Sequence, residues 1–278
     1  MQKHQLRYLS EIKKGLIQKE INGMIYYSVP MLDDLSVKNG FMARKGGVSP
    51  APFDSLNFSM KREGSYENFI TNFSIMADNL GLNVEDMVVC NYEHGTNVEF
   101  VSDEHKGMGI VRDNELPYCD GLIVQDSGIT AVSLHADCVP ILFADKKLRA
   151  AGTCHAGWRG VLGGAVFSIL DKLALIGIEP EDVCFGVAPC IHECCFEVQD
   201  DVSVPFVAEY GEIVRERREG KQYIDLRAVI GLQLMRRGVP AENVSMSNLC
   251  TCCLPDLFFS FRRDGLDTGD MACVIALP

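Results

Sequence analysis

The stretch over residues 135–160 constrains the fold most, because it sets two reactive side chains beside two apolar runs. Cys138 stands directly before the run over residues 139–144. His155 comes at the end of the second run, just ahead of a glycine-bracketed turn that holds the only tryptophan of the chain. Short apolar runs bounded by turn residues are typical of buried strands. The pattern therefore predicts two buried strands that carry a thiol and an imidazole beside them.

A third candidate ligand lies upstream, where His94 is followed directly by Gly95 in a second glycine turn. Together with Cys138 and His155 it gives two nitrogen donors and one sulfur donor. This is the ligand set of an open zinc site, whose fourth position is left for water or substrate. Three protein ligands are typical of a catalytic site and four of a structural one, so this set indicates chemistry.

The overall charge excludes some classes of partner. The formal net charge is −12, whereas non-specific binding to nucleic acid or to an anionic membrane needs clustered Lys and Arg. A small anionic substrate is still compatible with a few converging arginines. The polar, basic start has no apolar stretch of signal-peptide type behind it, and no apolar run is long enough to span a bilayer. We therefore expect a cytoplasmic protein without a membrane or nucleic-acid partner.

The cysteine content is high, with 12 in the chain. In a long cytosolic protein such cysteines are expected to be reduced, and they are candidates for metal binding or catalysis. Cys90, Cys184 and Cys273 have apolar neighbours and are interpreted as small core residues.

The element pattern predicts an α+β fold, a single compact domain over residues 1–278 with mixed sheets flanked by helices. A two-lobed arrangement is the alternative. Residues 1–23 are expected to form an extended or weakly helical lead-in. Predicted strands cover residues 24–29, 87–92, 121–124, 130–134, 139–144, 183–187, 257–261 and 272–277, with a further strand entering the glycine turn within residues 39–49. Predicted helices cover residues 66–80, 163–175, 202–210 and 226–238.

Dispersed motifs from about residue 39 to the C-terminus resemble the bacterial laccase-domain family, also called the multicopper polyphenol oxidase or purine nucleoside phosphorylase-like family. The matching segments are Gly40-Phe41…Arg44-x-Gly46-Gly47-Val48-Ser49, Ser55-Leu56-Asn57, His94-Gly95, Asp120-Gly121, Ala136-Asp137-Cys138-x-Pro140, His155-Ala156-Gly157-Trp158-Arg159-Gly160, Ala188-Pro189…Phe196-Glu197-Val198, Asp225-Leu226, Cys250-Thr251 and Phe258-Phe259-Ser260-Phe261-Arg262-Arg263-Asp264. Two positions depart from the family pattern. Tyr92 stands where Gln is usual, and Gly269-Asp270 stands where a Gly-Arg pair is expected.

The resemblance implies a mixed α/β fold and a zinc ion bound by His94, Cys138 and His155. It also implies activity on purine nucleosides, either deamination of adenosine or phosphorolysis of adenosine, inosine, guanosine or methylthioadenosine. Related proteins are implicated in peptidoglycan editing. The expected small-molecule partners are therefore a purine nucleoside and phosphate.

The remaining candidate site residues follow from what these reactions need. Deamination needs a carboxylate that passes protons to the leaving ammonia, and Asp120 is the candidate, although an Asp-Gly pair is equally typical of a turn. Phosphorolysis needs cationic and backbone donors for an anion. Arg44 beside a glycine pair fits this need and also matches the family. Further candidates for phosphate or nucleoside are Ser49, Asn57, Arg159 and Arg262.

Three other interpretations stay open. Cys138 and His155 could be a nucleophile–base pair of a cysteine hydrolase, with His135 nearby. A copper-dependent polyphenol oxidase is disfavoured, because the chain has only six histidines and none in a His-x-His pair; a single site that accepts copper after isolation is compatible with the affinity order of the metals. The many spare cysteines would also suit a non-catalytic metal- or partner-binding protein, and a further metal site could form from Cys190-x-x-x-Cys194-Cys195 and Cys250-x-Cys252-Cys253. The Pro189-Cys190 pair has the wrong spacing for the zinc-deaminase signature.

Overall fold

The computed structural model describes residues 2–278 and builds three β-sheets with helices on the outer sides. Its α-helices over these residues are α1 (Gln2–Glu11), α2 (Pro30–Asp34), α3 (Met60–Glu63), α4 (Tyr66–Leu80), α5 (Trp158–Gly163), α6 (Ala165–Ala174), α7 (Asp200–Tyr210), α8 (Leu226–Arg236) and α9 (Phe261–Asp264). Its strands are β1 (Lys13–Lys14), β2 (Ile17–Ile21), β3 (Met24–Ser28), β4 (Lys38–Met42), β5 (Met87–Val89), β6 (Val98–Val101), β7 (Gly121–Val124), β8 (Thr130–His135), β9 (Val139–Asp145), β10 (Ala151–Ala156), β11 (Val183–Val187), β12 (Glu197–Val198), β13 (Arg215–Arg218), β14 (Lys221–Ile224), β15 (Val244–Met246) and β16 (Met271–Ala276).

Two large mixed sheets form the centre of the molecule. The seven-stranded sheet has the order β1-β15-β11-β9-β10-β7-β6, and the six-stranded sheet has the order β2-β3-β4-β16-β8-β5. Most neighbours are antiparallel, but β1–β15, β11–β15, β6–β7 and β5–β8 are parallel. A small antiparallel sheet, β12-β14-β13, lies apart from both. The predicted α+β fold with mixed sheets is confirmed.

The alternation of side chains along the strands divides the core into layers. On β9, Ile141 and Phe143 join the cluster that contains the apolar residues of α6 and α8, whereas Leu142 joins a cluster shared by both large sheets. On β16, Cys273 faces that shared cluster, and Val274 faces the cluster around α4. Successive strand residues point to opposite faces, so both large sheets are covered on both sides. The order of layers is α4, six-stranded sheet, seven-stranded sheet, and the helices around α8.

Several predicted elements are confirmed. The helix over residues 66–80 is α4, where the Ser65 side chain accepts a hydrogen bond from the Asn68 amide at its start and Gly81 ends it at φ 62°. The predicted strands 121–124 and 183–187 have the same bounds as β7 and β11, and those over 130–134 and 139–144 match β8 and β9 within one residue. Their apolar, β-branched runs between turn residues carried enough local information to fix them.

Other predictions differ from the structure. The helix predicted over residues 163–175 is α6, which begins two residues later, after Gly164 at φ 89°, and the short helix α5 directly before it was not predicted. The strand predicted over residues 257–261 is wrong, since Ser260 caps the short helix α9 instead. Apolar runs of this length suit a buried loop as well as a strand.

The predicted lead-in is more ordered than expected. Residues 2–23 contain α1, β1 and β2, and Met1 lies outside the described residues. The Tyr8 hydroxyl donates to the Val239 carbonyl over 2.8 Å, and β2 pairs with β3. This segment therefore packs on the body of the fold. Among the described residues, no helix has the length and apolarity needed to cross a membrane.

Candidate active site

Three side chains from separate parts of the chain meet at the ends of the central strands of the seven-stranded sheet. One ligand atom of each of His94, Cys138 and His155 lies within 4.8 Å of the other two. The rings of His94 and His155 are perpendicular, with centroids 4.9 Å apart. We call these three residues the His–Cys–His group. Its donors are the mixed nitrogen and sulfur set that suits zinc.

The strand pairing explains why two of these residues meet. Strands β9 and β10 are antiparallel, and His155 is paired with Pro140. The end of β10 therefore lies beside the start of β9, which Cys138 directly precedes. Asp137 adopts φ 90° in the turn between β8 and β9. This left-handed backbone is uncommon for a residue other than glycine, and it sets the approach of Cys138.

His94, the third residue of the group, is held in place by the buried carboxylate of Asp120. His94 adopts φ 61°, and the amides of Glu93, His94 and Gly95 donate to the Asp120 carboxylate over 3.4, 3.1 and 2.7 Å. The same carboxylate accepts a bond from Nδ1 of His155 over 2.8 Å. Asp120 is fully buried. It therefore fixes two members of the His–Cys–His group at once, and Nε2 is the ring nitrogen of His155 that remains to act as a ligand.

Two glycines give this arrangement room. A Cβ added at Gly157 would lie 3.1 Å from Cδ2 of His94 and 3.4 Å from the sulfur of Cys138. A Cβ at Gly160 would lie 2.6 Å from the carbonyl oxygen of Gly95. The glycine-bracketed turn after His155 thus allows α5 to pass close to the His94 turn.

Opposite charges on Cys138 and His155 stabilise each other. Burial, the largest influence, would raise the pKa of the Cys138 thiol, but the charges and hydrogen bonds of His155 and His94 together lower that pKa to about 7. The Cys138 sulfur and the Asp120 carboxylate in turn raise the pKa of His155. Burial would also raise the pKa of Asp120, yet its bonds from His155 and Gly95 keep that pKa below its usual value. A thiolate is the form of cysteine that binds metal.

His135 is close to the group but differs from it. Its Nε2 lies 2.8 Å from the Ser133 hydroxyl and its Nδ1 lies 3.2 Å from the Cys138 carbonyl oxygen. Burial lowers the pKa of His135 well below its usual value. Both nitrogens are thus occupied, and the ring is neutral.

A large cavity opens onto the His–Cys–His group. Its volume is about 1310 Å³, which is ample for a nucleoside. The cationic side chains among its lining residues are Lys61, Arg62, Arg112 and Arg262. Aromatic side chains include Tyr92, Trp158 and Phe261, and the partly buried carboxyl of Asp270 also faces it. Burial raises the pKa of Asp270.

Of the residues predicted to bind substrate, the described lining of this cavity includes Arg262 but not Arg44, Ser49, Asn57 or Arg159. The guanidinium of Arg44 donates to the carbonyls of Asp54 (2.6 Å), Pro52 and Pro255 (both 3.2 Å). Its group also stacks 4.4 Å from the ring centroid of Phe259. The hydrogen bonds of Arg44 thus hold the loop of Pro52 and Asp54 against the loop of Pro255.

The other three residues have local partners as well. Ser49 donates to Glu63 over 2.5 Å and accepts from Asn72. Asn57 accepts from the backbone of Ser59 (2.9 Å) and of Asp270 (3.0 Å), both at the cavity wall. Arg159 is exposed and lies 4.3 Å over the Trp158 ring. The substrate-binding roles of these residues stay predictions.

Sequence reasoning missed several residues of the cavity. Lys61 and Arg62 come from α3, and Tyr92 packs edge-on against His155 with centroids 5.0 Å apart. Tyr92 and Asp270 are the two positions that depart from the family pattern, and both line the cavity. Their departure from the family pattern was the one feature of the sequence that distinguished Tyr92 and Asp270.

The sequence and the fold match those of known proteins. The family model described as "Multi-copper polyphenol oxidoreductase laccase" matches residues 38–278. The chain is 32% identical over 267 residues to "Purine nucleoside phosphorylase YlmD" of Geobacillus stearothermophilus, covering 94% of this chain and 96% of that protein. The crystal structure of that YlmD superposes with a TM-score of 0.88 at 30% identity, over 95% of this chain and 99% of the other.

Two further relatives are named for a deaminase and for a phosphorylase. "Adenosine deaminase RL5", from an unknown prokaryotic organism, is 31% identical over 70% of this chain and 76% of its own length. "Purine nucleoside phosphorylase LACC1" of Mus musculus is 31% identical over 89% of this chain, which spans 57% of that longer protein. The match of the family model over most of the sequence, with the agreement in fold, identifies the chain as a member of the multi-copper polyphenol oxidoreductase laccase family.

Proposed function

We propose that this chain is a zinc-dependent enzyme of purine nucleosides whose main reaction is phosphorolysis. The observation that carries the proposal is the His–Cys–His group at a cavity that also holds several cationic side chains. The names of the relatives YlmD and LACC1 support the same class of reaction.

Zinc fits the donors of the His–Cys–His group. His94, Cys138 and His155 supply two nitrogens and a sulfur within reach of one ion, and the carboxylate of Asp120 orients His155 from behind. A carboxylate on the far nitrogen of a histidine ligand fixes the ring and strengthens it as a donor. A zinc ion with three protein ligands supplies Lewis acidity at neutral pH. We propose for Asp120 a positioning role rather than that of a proton shuttle, because its oxygens already accept bonds from three amides and His155.

The cationic side chains suit phosphate. Arg62 stacks over Phe261 at 5.4 Å, and the neighbouring Arg262 approaches the cavity from α9. Lys61 is exposed beside them on α3. In phosphorolysis a phosphate oxygen forms a bond to C1′ of the ribose while the bond from C1′ to the purine nitrogen breaks, and the purine takes up a proton. Arginine pairs well with the oxygens of such an anion, so we assign the phosphate to this side of the cavity.

Deamination of adenosine is the second candidate. It is favoured by the similarity to RL5 and by the same three-donor group, which leaves room for water. Deamination consumes water and releases ammonia without phosphate. The two reactions therefore differ in their products and in their dependence on phosphate.

The test is a product analysis of zinc-loaded protein with adenosine, with and without inorganic phosphate. Adenine and ribose 1-phosphate that form only with phosphate are expected, and inosine formed equally in both would instead support deamination. Turnover that survives complete removal of metal would contradict the zinc assignment and favour a cysteine hydrolase. Oxidation of phenols by zinc-loaded protein, or action on cell-wall fragments without nucleoside turnover, would favour the polyphenol oxidase or peptidoglycan-editing alternatives.

A further inference from the structure

A second cluster of metal-binding side chains lies outside the cavity. The sulfur atoms of four cysteines lie within 4.8 Å of one another; they are Cys194, Cys195, Cys250 and Cys253, here called the sulfur group. Cys253 lies 3.5 Å from Cys194 and 3.3 Å from Cys195, sulfur to sulfur. A disulfide bond would be about 2.0 Å long, so these are thiols in contact.

The spacing fits one metal ion. Around a tetrahedral zinc ion with Zn–S bonds of about 2.3 Å, the sulfurs are separated by about 3.8 Å. The observed separations lie close to that value or require small rotations of the side chains to reach it. The enclosed space is too small for a multinuclear iron–sulfur cluster, whose cysteine sulfurs surround several iron atoms. Four thiolates favour a soft or borderline ion such as Zn²⁺.

The sulfur group joins two loops. Cys194 and Cys195 follow β11, and Cys250 and Cys253 follow β15. The loops already touch through a short parallel bridge between Cys190 and Cys250, where the Thr251 amide donates to the Cys190 carbonyl over 3.0 Å. The positions of the donors are therefore set by backbone pairing as well as by the side chains.

Packing explains only two of these cysteines, since Cys250 is buried in an apolar cluster and Cys195 packs against that cluster. Cys90, Cys184 and Cys273 are buried in apolar clusters as small core residues. In contrast, Cys194 and Cys253 are exposed, where a thiol gains little from the hydrophobic effect. The His192 amide points at the Cys250 sulfur over 3.5 Å, as amides do toward metal-bound thiolates.

We propose that the sulfur group binds a second metal ion, of the zinc class, that holds the two loops together. Its four protein ligands close the coordination sphere, which is typical of a structural site. The site is independent of the proposed function of the cavity.

The two loops contact residues of the cavity wall. Arg262, which lines the cavity, donates to the carbonyls of Cys195 and Glu197, both over 3.0 Å. The Thr251 hydroxyl, next to Cys250, donates to Asp137 over 2.6 Å, and Asp137 precedes Cys138. Loss of the second ion should thus loosen a wall of the cavity while leaving the His–Cys–His group with its own donors.

The test is the metal content of the full-length chain, purified under reducing conditions and given zinc in limited excess before desalting. We expect about two tightly bound zinc ions in the natural chain and about one in Cys138→Ala or in Cys253→Ser. The double variant should bind almost none. Cys252→Ser is the matched control, because it removes the neighbouring cysteine that lies outside the sulfur group, and it should keep both ions.

Cobalt provides a second measurement that needs no variant. Co²⁺ added to the natural chain should give intense sulfur-to-cobalt charge-transfer absorption of a four-thiolate site, in addition to the weaker signal of a site with one thiolate. A zinc content unchanged by Cys253→Ser, or a loss caused by Cys252→Ser alone, would overturn the assignment. So would a one-thiolate cobalt spectrum, or a mass deficit showing that these cysteines pair as disulfides.

Discussion

The His–Cys–His group and the sulfur group differ in donors, support and surroundings. The His–Cys–His group has one sulfur donor and two nitrogen donors. Cys138 and His155 lie at the ends of the paired strands β9 and β10, and the group opens onto a cavity of about 1310 Å³. The second has four sulfurs on two surface loops, and the described cavity lining includes none of them. Three ligands beside a cavity suit chemistry, whereas four ligands on loops suit a structural ion. The comparison assigns different consequences to the loss of each.

The largest expected effect is on nucleoside turnover, which should depend on the His–Cys–His group far more than on the sulfur group. Cys138→Ala should lower turnover of nucleoside by about a thousandfold or more, because a metal contributes several kcal/mol to a transition state and 1.36 kcal/mol is tenfold. Cys253→Ser should reduce turnover far less, chiefly through a raised KM. Steady-state kinetics on both variants, with Cys252→Ser as control, tests this. Equal losses of kcat in Cys138→Ala and Cys253→Ser would break the comparison.

The second prediction concerns the support of the first group. Asp120→Asn should weaken zinc binding by the His–Cys–His group by about 10- to 100-fold, because the carboxylate behind His155 and under the His94 turn is lost. Competition with a chelator measures the affinity, and the exposed Asp126→Asn serves as control. The affinity of the sulfur group should not change. An Asp120→Asn protein that keeps full zinc affinity but loses turnover would instead support the proton-shuttle role.

The third prediction compares two arginines. Arg62→Ala should raise the KM for phosphate by about tenfold, since a hydrogen bond to a charged group contributes about 1.5–3 kcal/mol. Arg44→Ala should leave that KM nearly unchanged and lower the free energy of unfolding, because its donors bind backbone carbonyls. Phosphate saturation curves and urea denaturation measure the two quantities. A raised KM for phosphate in Arg44→Ala without loss of stability would restore the role predicted from the sequence.

The smallest expected effect comes from a single methyl group. Gly157→Ala should weaken zinc binding by the His–Cys–His group several-fold, because the new Cβ would press on His94 at 3.1 Å. In the control Gly163→Ala, the new Cβ would meet Thr96 at 3.0 Å, away from the donors. The zinc affinities of the two variants test this prediction. Equal affinities would show that the turn accommodates the added methyl group without displacing His94.

The sequence predicted the features that depend on local pattern. Apolar runs marked β7, β9 and β11, and the helical spacing of apolar residues that stops at Gly81 marked α4. The three donors of the His–Cys–His group were predicted from residue type and from the family resemblance, and the structure brings them together. Strand order explains why this was possible, since β9 and β10 are adjacent both in sequence and in the sheet.

The cavity wall was not predictable in the same way. Lys61, Arg112 and Asp270 lie far apart in sequence and meet only through the packing of the two large sheets. Arg44 stands in a glycine-rich setting that suits an anion, but its carbonyl partners, such as Pro255, come from a distant loop. No local pattern reveals such partners.

The most direct test of the central claim is one time course of adenosine conversion by zinc-loaded natural chain and by Cys138→Ala, with inorganic phosphate present and phosphorus NMR as the readout. The proposed zinc-dependent phosphorolysis predicts a ribose 1-phosphate signal that grows with the natural chain and is absent with Cys138→Ala. An equal signal from both proteins, or no signal from the zinc-loaded natural chain, would contradict it.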